Sequence, residues 1–304
     1  VRCDYERYKY MFRSDPMNAT YLSSQLMGMA GQLAIPKLKA IFEEDPLPTY
    51  LIAEDLLWAD IIVDQLHAAV DLLGIVLVGE SRTSSVETDF SPYLDAIEVS
   101  GARVIIHLFA AVAGATFIKQ WGERKLAAVP VGINVESQMA QFWAETGGKC
   151  NYETIMGQAG TRTLIIPGAE PLDSVEIWDE YLAKFGHTPI YTAWGSYGEV
   201  MTLNLSAQYY DWIGKDCEWI ISNVLEEEPR QPGATGWFKY TPTHDVWQDP
   251  SYSMASVWPS RDMRGYDPNV QPYTRALLPQ WQAGRLEVVW PRGHWRVVIE
   301  PEPL

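Results

Sequence analysis

Basic residues are scarce in this chain, and their scarcity limits the partners that the protein can have. Against 39 aspartates and glutamates there are only 23 lysines and arginines, which gives a formal net charge of -16. Binding along a nucleic-acid backbone needs clustered lysine and arginine, and no such cluster occurs. The composition therefore argues against nucleic acid as the main partner, whereas an acidic balance by itself indicates mainly solubility.

Long apolar runs are also missing. The longest, around residues 102–118, is broken by His107 and Gly114, so the sequence predicts no membrane-spanning helix in this chain. The chain begins at Val1, with neither an initiator methionine nor the apolar segment of a signal peptide. We therefore expect the N-terminus to be processed or truncated.

Motifs for catalysis or metal binding are equally hard to find. The sequence has no Gly-x-Ser-x-Gly elbow, no Walker loop, no Gly-x-Gly-x-x-Gly after a strand and no His-Glu-x-x-His. His244 lies in a proline-rich segment, which favours a turn role, and His107 lies inside an apolar run as a core or cleft residue. Cys3, Cys150 and Cys217 lack metal spacing, and free thiols or one disulfide are both open. We expect no catalytic residue, no metal and no cofactor.

Four short apolar runs organise the chain instead: residues 50–53, 75–78, 104–109 and 129–133. The segments between them show helical spacing, most clearly over 61–73. Apolar strands that alternate with amphipathic helices indicate an α/β fold with a parallel sheet covered on both faces. Ligands of such sheets bind beyond the carboxyl ends of the strands. Those ends are residues 54–58, 109–111 and 134–136.

The flanking segments are predicted from caps and breakers. Residues 1–16 alternate like a half-buried strand, and Pro36 should interrupt or end the helix that follows. Residues 79–87 form a polar loop. A helix over residues 88–97 should be capped by Thr88 or Asp89 and end at Gly101.

Six segments, in this order, resemble the substrate-binding proteins of branched-chain amino acid ABC importers. They are YMFRSDP at 10–16, AEDLLWAD at 53–60, TDFS at 88–91, FIKQWG at 117–122, YTAWGSY at 191–197 and LPQWQ at 278–282. The resemblance implies the type I periplasmic binding protein fold, in which two α/β lobes, each a parallel sheet flanked by helices, are joined by three crossovers. On that pattern the chain begins at the first crossover, so its first lobe is incomplete.

The same resemblance divides the chain into three parts. Residues 16–150 would form the main part of the second lobe. Residues 151–232 would belong to the first lobe, with 1–15 as a hinge strand, and 233–304 would return to the second lobe.

Five ligand-binding residues are expected at the strand ends: Trp58, Phe109, Ala110, Asn134 and Glu136. Trp58 would stack on the apolar part of a ligand, with packing onto its own helix as the alternative. Phe109 would line the cleft beside Ala110, with core packing as the alternative. Amino-acid-binding members carry an acidic residue where Asn134 stands, so ammonium recognition is in doubt unless Glu136 substitutes. Leucine should then bind poorly, and Asn134→Glu should improve its binding.

The resemblance implies a periplasmic or extracellular solute-binding protein, with a lipid anchor outside this chain as one option. It would deliver a small polar ligand, such as an amino acid or an amide, to ABC permease subunits without catalysis. Two alternatives stay open. One is the ligand-sensing domain of a receptor or of an amide-responsive regulator with the same fold, and the other is an enzyme on an unrelated α/β fold.

Overall fold

The computed structural model of this protein describes residues 4–12, 19–157, 174–210, 214–226, 231–233, 236–238, 240, 244 and 278–290. The chain divides into two compact units. The first unit comprises residues 1–17 and 158–276, and the second comprises 18–157 and 277–304.

A seven-stranded sheet with the order β2-β1-β3-β4-β5-β8-β9 forms the centre of the second unit. Its strands are β1 (Leu47–Glu54), β2 (Ile75–Thr83), β3 (Val104–Phe109), β4 (Val129–Asn134), β5 (Thr154–Ile155), β8 (Leu278–Gln282) and β9 (Arg285–Trp290). β1 to β5 pair in parallel, whereas β8 and β9 are antiparallel. The predicted consecutive parallel units are therefore confirmed, although β2 continues through part of the predicted polar loop.

The helices of the second unit are α2 (Ala19–Met29), α3 (Ile35–Phe42), α4 (Leu57–Leu73), α5 (Ser91–Ser100), α6 (Ala113–Arg124) and α7 (Phe142–Glu145). The predicted end of α5 at Gly101 is confirmed, whereas the helix begins at Ser91 rather than 88, with Phe90 at the N-cap position and Asp89 bonded just before it. Asp89 accepts a hydrogen bond from the Ser91 N–H at 3.0 Å, and Gly101 ends the helix with a φ of 69°. Hydrogen bonds from the Ser91 side chain and backbone hold the pKa of Asp89 below its usual range.

Pro36 does not end its helix. A π-helical turn, Ala30–Ala34, lies directly before it, and α3 begins at Ile35. Proline has no N–H for the α-helical ladder, and its ring clashes with the preceding turn. The wider π turn, in which the Ile35 N–H reaches the Ala30 carbonyl, lets the helical chain continue past the proline.

One part of the core of the second unit lies on the sheet face that carries Tyr50, Ile105 and Phe109, and α5 and α6 pack on it. The opposite face, with Leu51, Ile106 and Leu108, is equally buried. Cys150 belongs to the part of the core that α5 and α6 cover, and burial raises the pKa of its thiol to about 12. Cys150 and Cys217 are free thiols, which answers the disulfide question for these two residues, whereas Cys3 lies outside the described residues.

The described part of the first unit is mostly helical. Its elements are α1 (Tyr5–Tyr8), α8 (Ser174–Phe185), α9 (Tyr191–Tyr210), α10 (Cys217–Ile220), a π-helical turn (Ile221–Leu225) and the short antiparallel pair β6 (Gln231–Gly233) and β7 (Gly236–Phe238). The strand predicted near the start of the chain is wrong over residues 5–8. There the Asp4 carboxylate accepts from the Arg7 N–H at 3.1 Å and starts a helical turn instead.

The unit boundaries differ from those predicted for the lobes. β5 was placed in the first lobe, but it pairs with β4 and β8, and the Met156 N–H bonds to the Gly132 carbonyl at 2.7 Å. The return to the second unit comes at residue 277 rather than 233, because β6 contacts α9 and Tyr240 packs on Phe12 and Leu225. Most of residues 239–277, and all of 291–304, lie outside the described residues.

None of the helices among the described residues is both long and apolar enough to cross a membrane.

Candidate functional site

The carboxyl ends of four neighbouring parallel strands meet at one edge of the sheet. Glu54 pairs in register with Thr83, and Phe109 pairs with Asn134. This edge, with the loops that leave it, is the candidate site. It contains all five residues that the sequence predicted.

Trp58 occupies the first turn of α4, immediately beyond β1, and is half-buried. Its indole Nε1 is shielded from solvent and has no hydrogen-bond partner among the described residues. A buried N–H without an acceptor costs about 1–3 kcal/mol, so an acceptor that reached it would be stabilised there. Ligand contact by Trp58 remains a prediction, and this unused donor supports it.

Phe109 is fully buried. Its ring centroid lies 5.2 Å from that of Phe117 and 5.9 Å from that of Phe90, so its side chain has the core-packing position that was the alternative interpretation. Val112, three residues further on, is 59% exposed in the same loop. It is the residue of this loop that the sequence interpretation missed.

Glu54 is a second missed residue. Its carboxylate is fully buried and accepts hydrogen bonds from the N–H groups of Ala110 at 3.0 Å and Ala111 at 2.9 Å. These bonds hold the loop between β3 and α6 in place. Both carboxylate oxygens therefore have partners within the protein. The only sequence signal was an acidic residue at the end of an otherwise apolar strand.

Asn134 is also fully buried, and its side chain binds another residue of the protein. Its Nδ2 donates to Glu153 Oε1 at 2.8 Å, and Ser137 Oγ donates to Glu153 Oε2 at 2.8 Å. The Trp281 indole N–H in turn donates to Ser137 Oγ at 2.9 Å. His107 Nε2 lies 3.2 Å from Glu153 Oε1, a separation suited to an ion pair, although neither ring nitrogen makes a well-aligned hydrogen bond among the described residues.

This buried cluster ties β5 and β8 to β4. The carboxylate absent at position 134 is therefore present nearby as Glu153, but its oxygens already have partners. Asn134 Oδ1 has no partner among the described residues, and it lies where a side chain at Gly114 would begin, 2.5 Å from an ideal Cβ there. Only glycine leaves room for the amide at that point.

Glu136 begins a 3-10 helix, Glu136–Gln138, just beyond β4, and is partly exposed. Burial, and secondarily the charge of Glu145, raises the pKa of its carboxyl.

Exposed apolar side chains lie in the loops of this edge. Leu57 is 81% exposed at the start of α4, and Val86 is 66% exposed beyond β2. No group of three or more potential metal-binding side chains occurs in the described part of the chain. The edge thus offers apolar surface, one unused indole N–H, the internally bound carboxylates of Glu54 and Glu153, and the exposed side chain of Asp55.

A scan against protein-family models gives no match, and a comparison with curated proteins gives no significant one. Solved structures do resemble the fold. An ABC transporter solute-binding protein from R. palustris, in complex with benzoate, matches with a TM-score of 0.62 at 13% identity, over 91% of this chain and 64% of that chain. The chain thus spans just under two thirds of that protein.

Two further structures carry the name of branched-chain amino acid transport. A substrate-binding protein from Streptococcus pneumoniae, in complex with isoleucine, matches with a TM-score of 0.67 at 14% identity, over 93% of this chain and 68% of that chain. A putative branched-chain amino acid ABC transporter protein from Silicibacter pomeroyi matches at 0.64 and 15% identity, over 99% and 72%. The predicted type I periplasmic binding protein fold is confirmed, and at these identities the likeness extends to the fold alone.

Proposed function

We propose that this protein is a solute-binding protein of an ABC importer, which holds a small molecule at the carboxyl edge of β1–β4 and is not an enzyme. The observation that carries the proposal is the unpartnered indole N–H of Trp58 among exposed apolar side chains at that edge. Solved proteins of this fold that bind benzoate and isoleucine support it. The protein would act in the periplasm or outside the cell and present its ligand to permease subunits.

The two units would correspond to the two lobes of the fold. The second unit, with the seven-stranded sheet, would be the second lobe, and the first unit would belong to the first lobe.

The two buried acidic groups at the edge favour a neutral or anionic ligand over an amino acid. Glu54 is bound by two backbone N–H groups, and Glu153 by Asn134 and Ser137. An ammonium group buried here would lose its hydration without gaining a free carboxylate, a loss of several kcal/mol. An aromatic or aliphatic carboxylate, or its amide, needs N–H donors and apolar walls, and Trp58 supplies one of each.

The expected gain from Asn134→Glu must be revised. Asn134 Nδ2 lies 2.8 Å from the Glu153 carboxylate, so a glutamate at position 134 would place two buried carboxylates side by side. We now expect this variant to lose stability rather than to gain leucine binding, because like charges at short range in a buried site repel strongly.

Calorimetric titration of the protein with benzoate, benzamide and leucine tests the proposal. Benzoate or benzamide should bind more tightly than leucine, and Trp58→Ala should weaken the binding by about 10- to 100-fold, as for loss of an aromatic anchor. Leu72→Ala is the matched control, because Leu72 is 88% exposed at the other end of α4. Preferential leucine binding that survives Trp58→Ala would refute both the site and the ligand class.

A further inference from the structure

The N-terminal segment of the first unit is held by a buried histidine. His244 is 1% exposed, and its ring stacks on Phe12 with a centroid distance of 4.0 Å and an interplanar angle of 8°. Tyr5 meets the same ring edge-on at 5.7 Å. His244 lies in a bend with a φ of 60°, in line with the turn role expected from the proline-rich sequence, and its ring also packs between two aromatic rings of a distant segment.

Each ring nitrogen of His244 faces an oxygen that accepts hydrogen bonds. Nδ1 lies 3.2 Å from the Met11 carbonyl oxygen, and Nε2 lies 2.6 Å from Glu226 Oε1. The Tyr5 hydroxyl donates to the same Glu226 oxygen at 2.6 Å, as expected if Glu226 is a carboxylate. A neutral imidazole has only one N–H and would leave one of these two oxygens facing a lone pair. With Glu226 ionised, both contacts are satisfied together only by the doubly protonated ring.

We propose that His244 and Glu226 form a pH-sensitive clasp that holds residues 5–12 on the first unit while the imidazole carries both protons. The sign follows from the contacts. They stabilise the protonated ring, so their contribution is present at lower pH and is lost as rising pH removes a proton. Strong acid would also open the clasp, by protonating Glu226.

The other titratable groups around the ring reinforce this direction. The hydrogen bond to Glu226, followed by burial, raises the pKa of Tyr5 to about 12, so its hydroxyl remains a donor while the imidazole titrates. Lys9 and Tyr10 both bind Glu218 on α10, and these contacts attach the N-terminal segment at a second point. The hydrogen bond to Glu218 raises the pKa of Lys9. Tyr240, behind Phe12, has a raised pKa because of burial and then the charge of Glu199.

The place of the clasp in the chain gives it a consequence. The chain passes from the first unit to the second at residues 17 and 18, only a few residues after the clasped segment. Release of residues 5–12 would free a segment that lies only a few residues before this crossing. The inference uses contacts of the first unit alone and does not depend on what the carboxyl edge of the sheet binds.

Nitrogen NMR of the imidazole rings in the intact protein tests the protonation state directly. At about pH 6 both nitrogens of His244 should carry protons, and on raising the pH to about 9 one proton should be lost. The exposed His187 provides an internal reference. A single neutral tautomer of His244 at about pH 6 would overturn the proposal without recourse to any variant.

Trypsin cleavage after Arg7 and Lys9 tests the release of the segment. Rates are normalised at each pH to those of a free peptide of residues 4–12. Between about pH 6 and 9 the normalised rate should rise about tenfold or more, the change expected on losing a hydrogen bond to a charged group. His244→Gln should cleave rapidly at both values, whereas His187→Gln should keep the wild-type profile. A pH-independent rate in the wild-type protein would contradict the clasp.

Discussion

Two carboxylates near the carboxyl edge of the sheet are bound inside the protein. Glu54 accepts from the backbone of the β3–α6 loop, and Glu153 accepts from Asn134 and Ser137. Each therefore acts as a structural anchor, and neither oxygen pair is free for a ligand. The proposed preference for a neutral or anionic solute depends on this internal satisfaction of charge.

Glu153→Ala should destabilise the protein by about 3–5 kcal/mol, the usual effect of removing one partner from a buried charged cluster. The substitution leaves Asn134 Nδ2 and Ser137 Oγ without an acceptor inside the second unit. Urea unfolding measures the loss. Glu98→Ala is the control, because Glu98 pairs with Arg124 while its side chain is 59% exposed, and such pairs contribute less than about 1 kcal/mol. Equal effects of the two substitutions would show that the cluster is not a structural anchor.

Position along the chain could be predicted for the site residues, but side-chain direction could not. Trp58, Ala110 and Glu136 lie at the edge with some exposure, as expected of residues that follow parallel strands. The side chains of Phe109 and Asn134, at the ends of their strands, lie on the sheet face that α5 and α6 cover. The face on which a strand's last side chain lies depends on the register of the strand and on the helices that pack there. The hydrogen bond between Asn134 and Glu153 joins residues 19 positions apart, and no local sequence pattern predicts it.

Among the elements, continuous apolar strands and their helices were predictable, because burial on both faces leaves a strong compositional signal. β5 was harder to place. It is only two residues long, and its position beside β4 is fixed by tertiary contacts such as the Met156 N–H to the Gly132 carbonyl. Short α1 was missed because one Asp4 hydrogen bond outweighed the alternation of its aromatic residues.

The contact between β3 and β4 gives a prediction for these elements. An ideal Cβ at Gly132 would lie 2.0 Å from the His107 carbonyl oxygen, so Gly132→Ala must push two strands apart. We expect a loss of about 1–3 kcal/mol in urea unfolding, as for other overpacked cores. Gly157→Ala is the matched control, because its nearest neighbour would be a Pro279 side-chain atom at 3.5 Å. If Gly132→Ala and Gly157→Ala have the same free energy of unfolding, β3 and β4 are farther apart at this point than the structure shows.

For the whole molecule, the two units should differ in stability. The second unit contains the seven-stranded sheet, whereas the described sheet of the first unit has two strands of three residues each. Backbone amides of β3 and β4 should therefore exchange with deuterium at least about tenfold more slowly than those of α9. Hydrogen exchange with mass spectrometry measures both units in one sample. Equal protection would argue for a single cooperative unit.

The central claim is that a small solute binds at the carboxyl edge of the sheet, and the indole N–H signal of Trp58 reports on it directly. The signal is assigned by its absence in Trp58→Phe. In an NMR titration with the ligand that binds most tightly in calorimetry, its chemical shift should change and reach saturation with the same affinity. Trp121 lies on α6, and its indole N–H donates to the Ala128 carbonyl at 2.9 Å. The NMR signal of this N–H should not shift. Saturable binding that leaves the Trp58 signal unchanged would contradict the account.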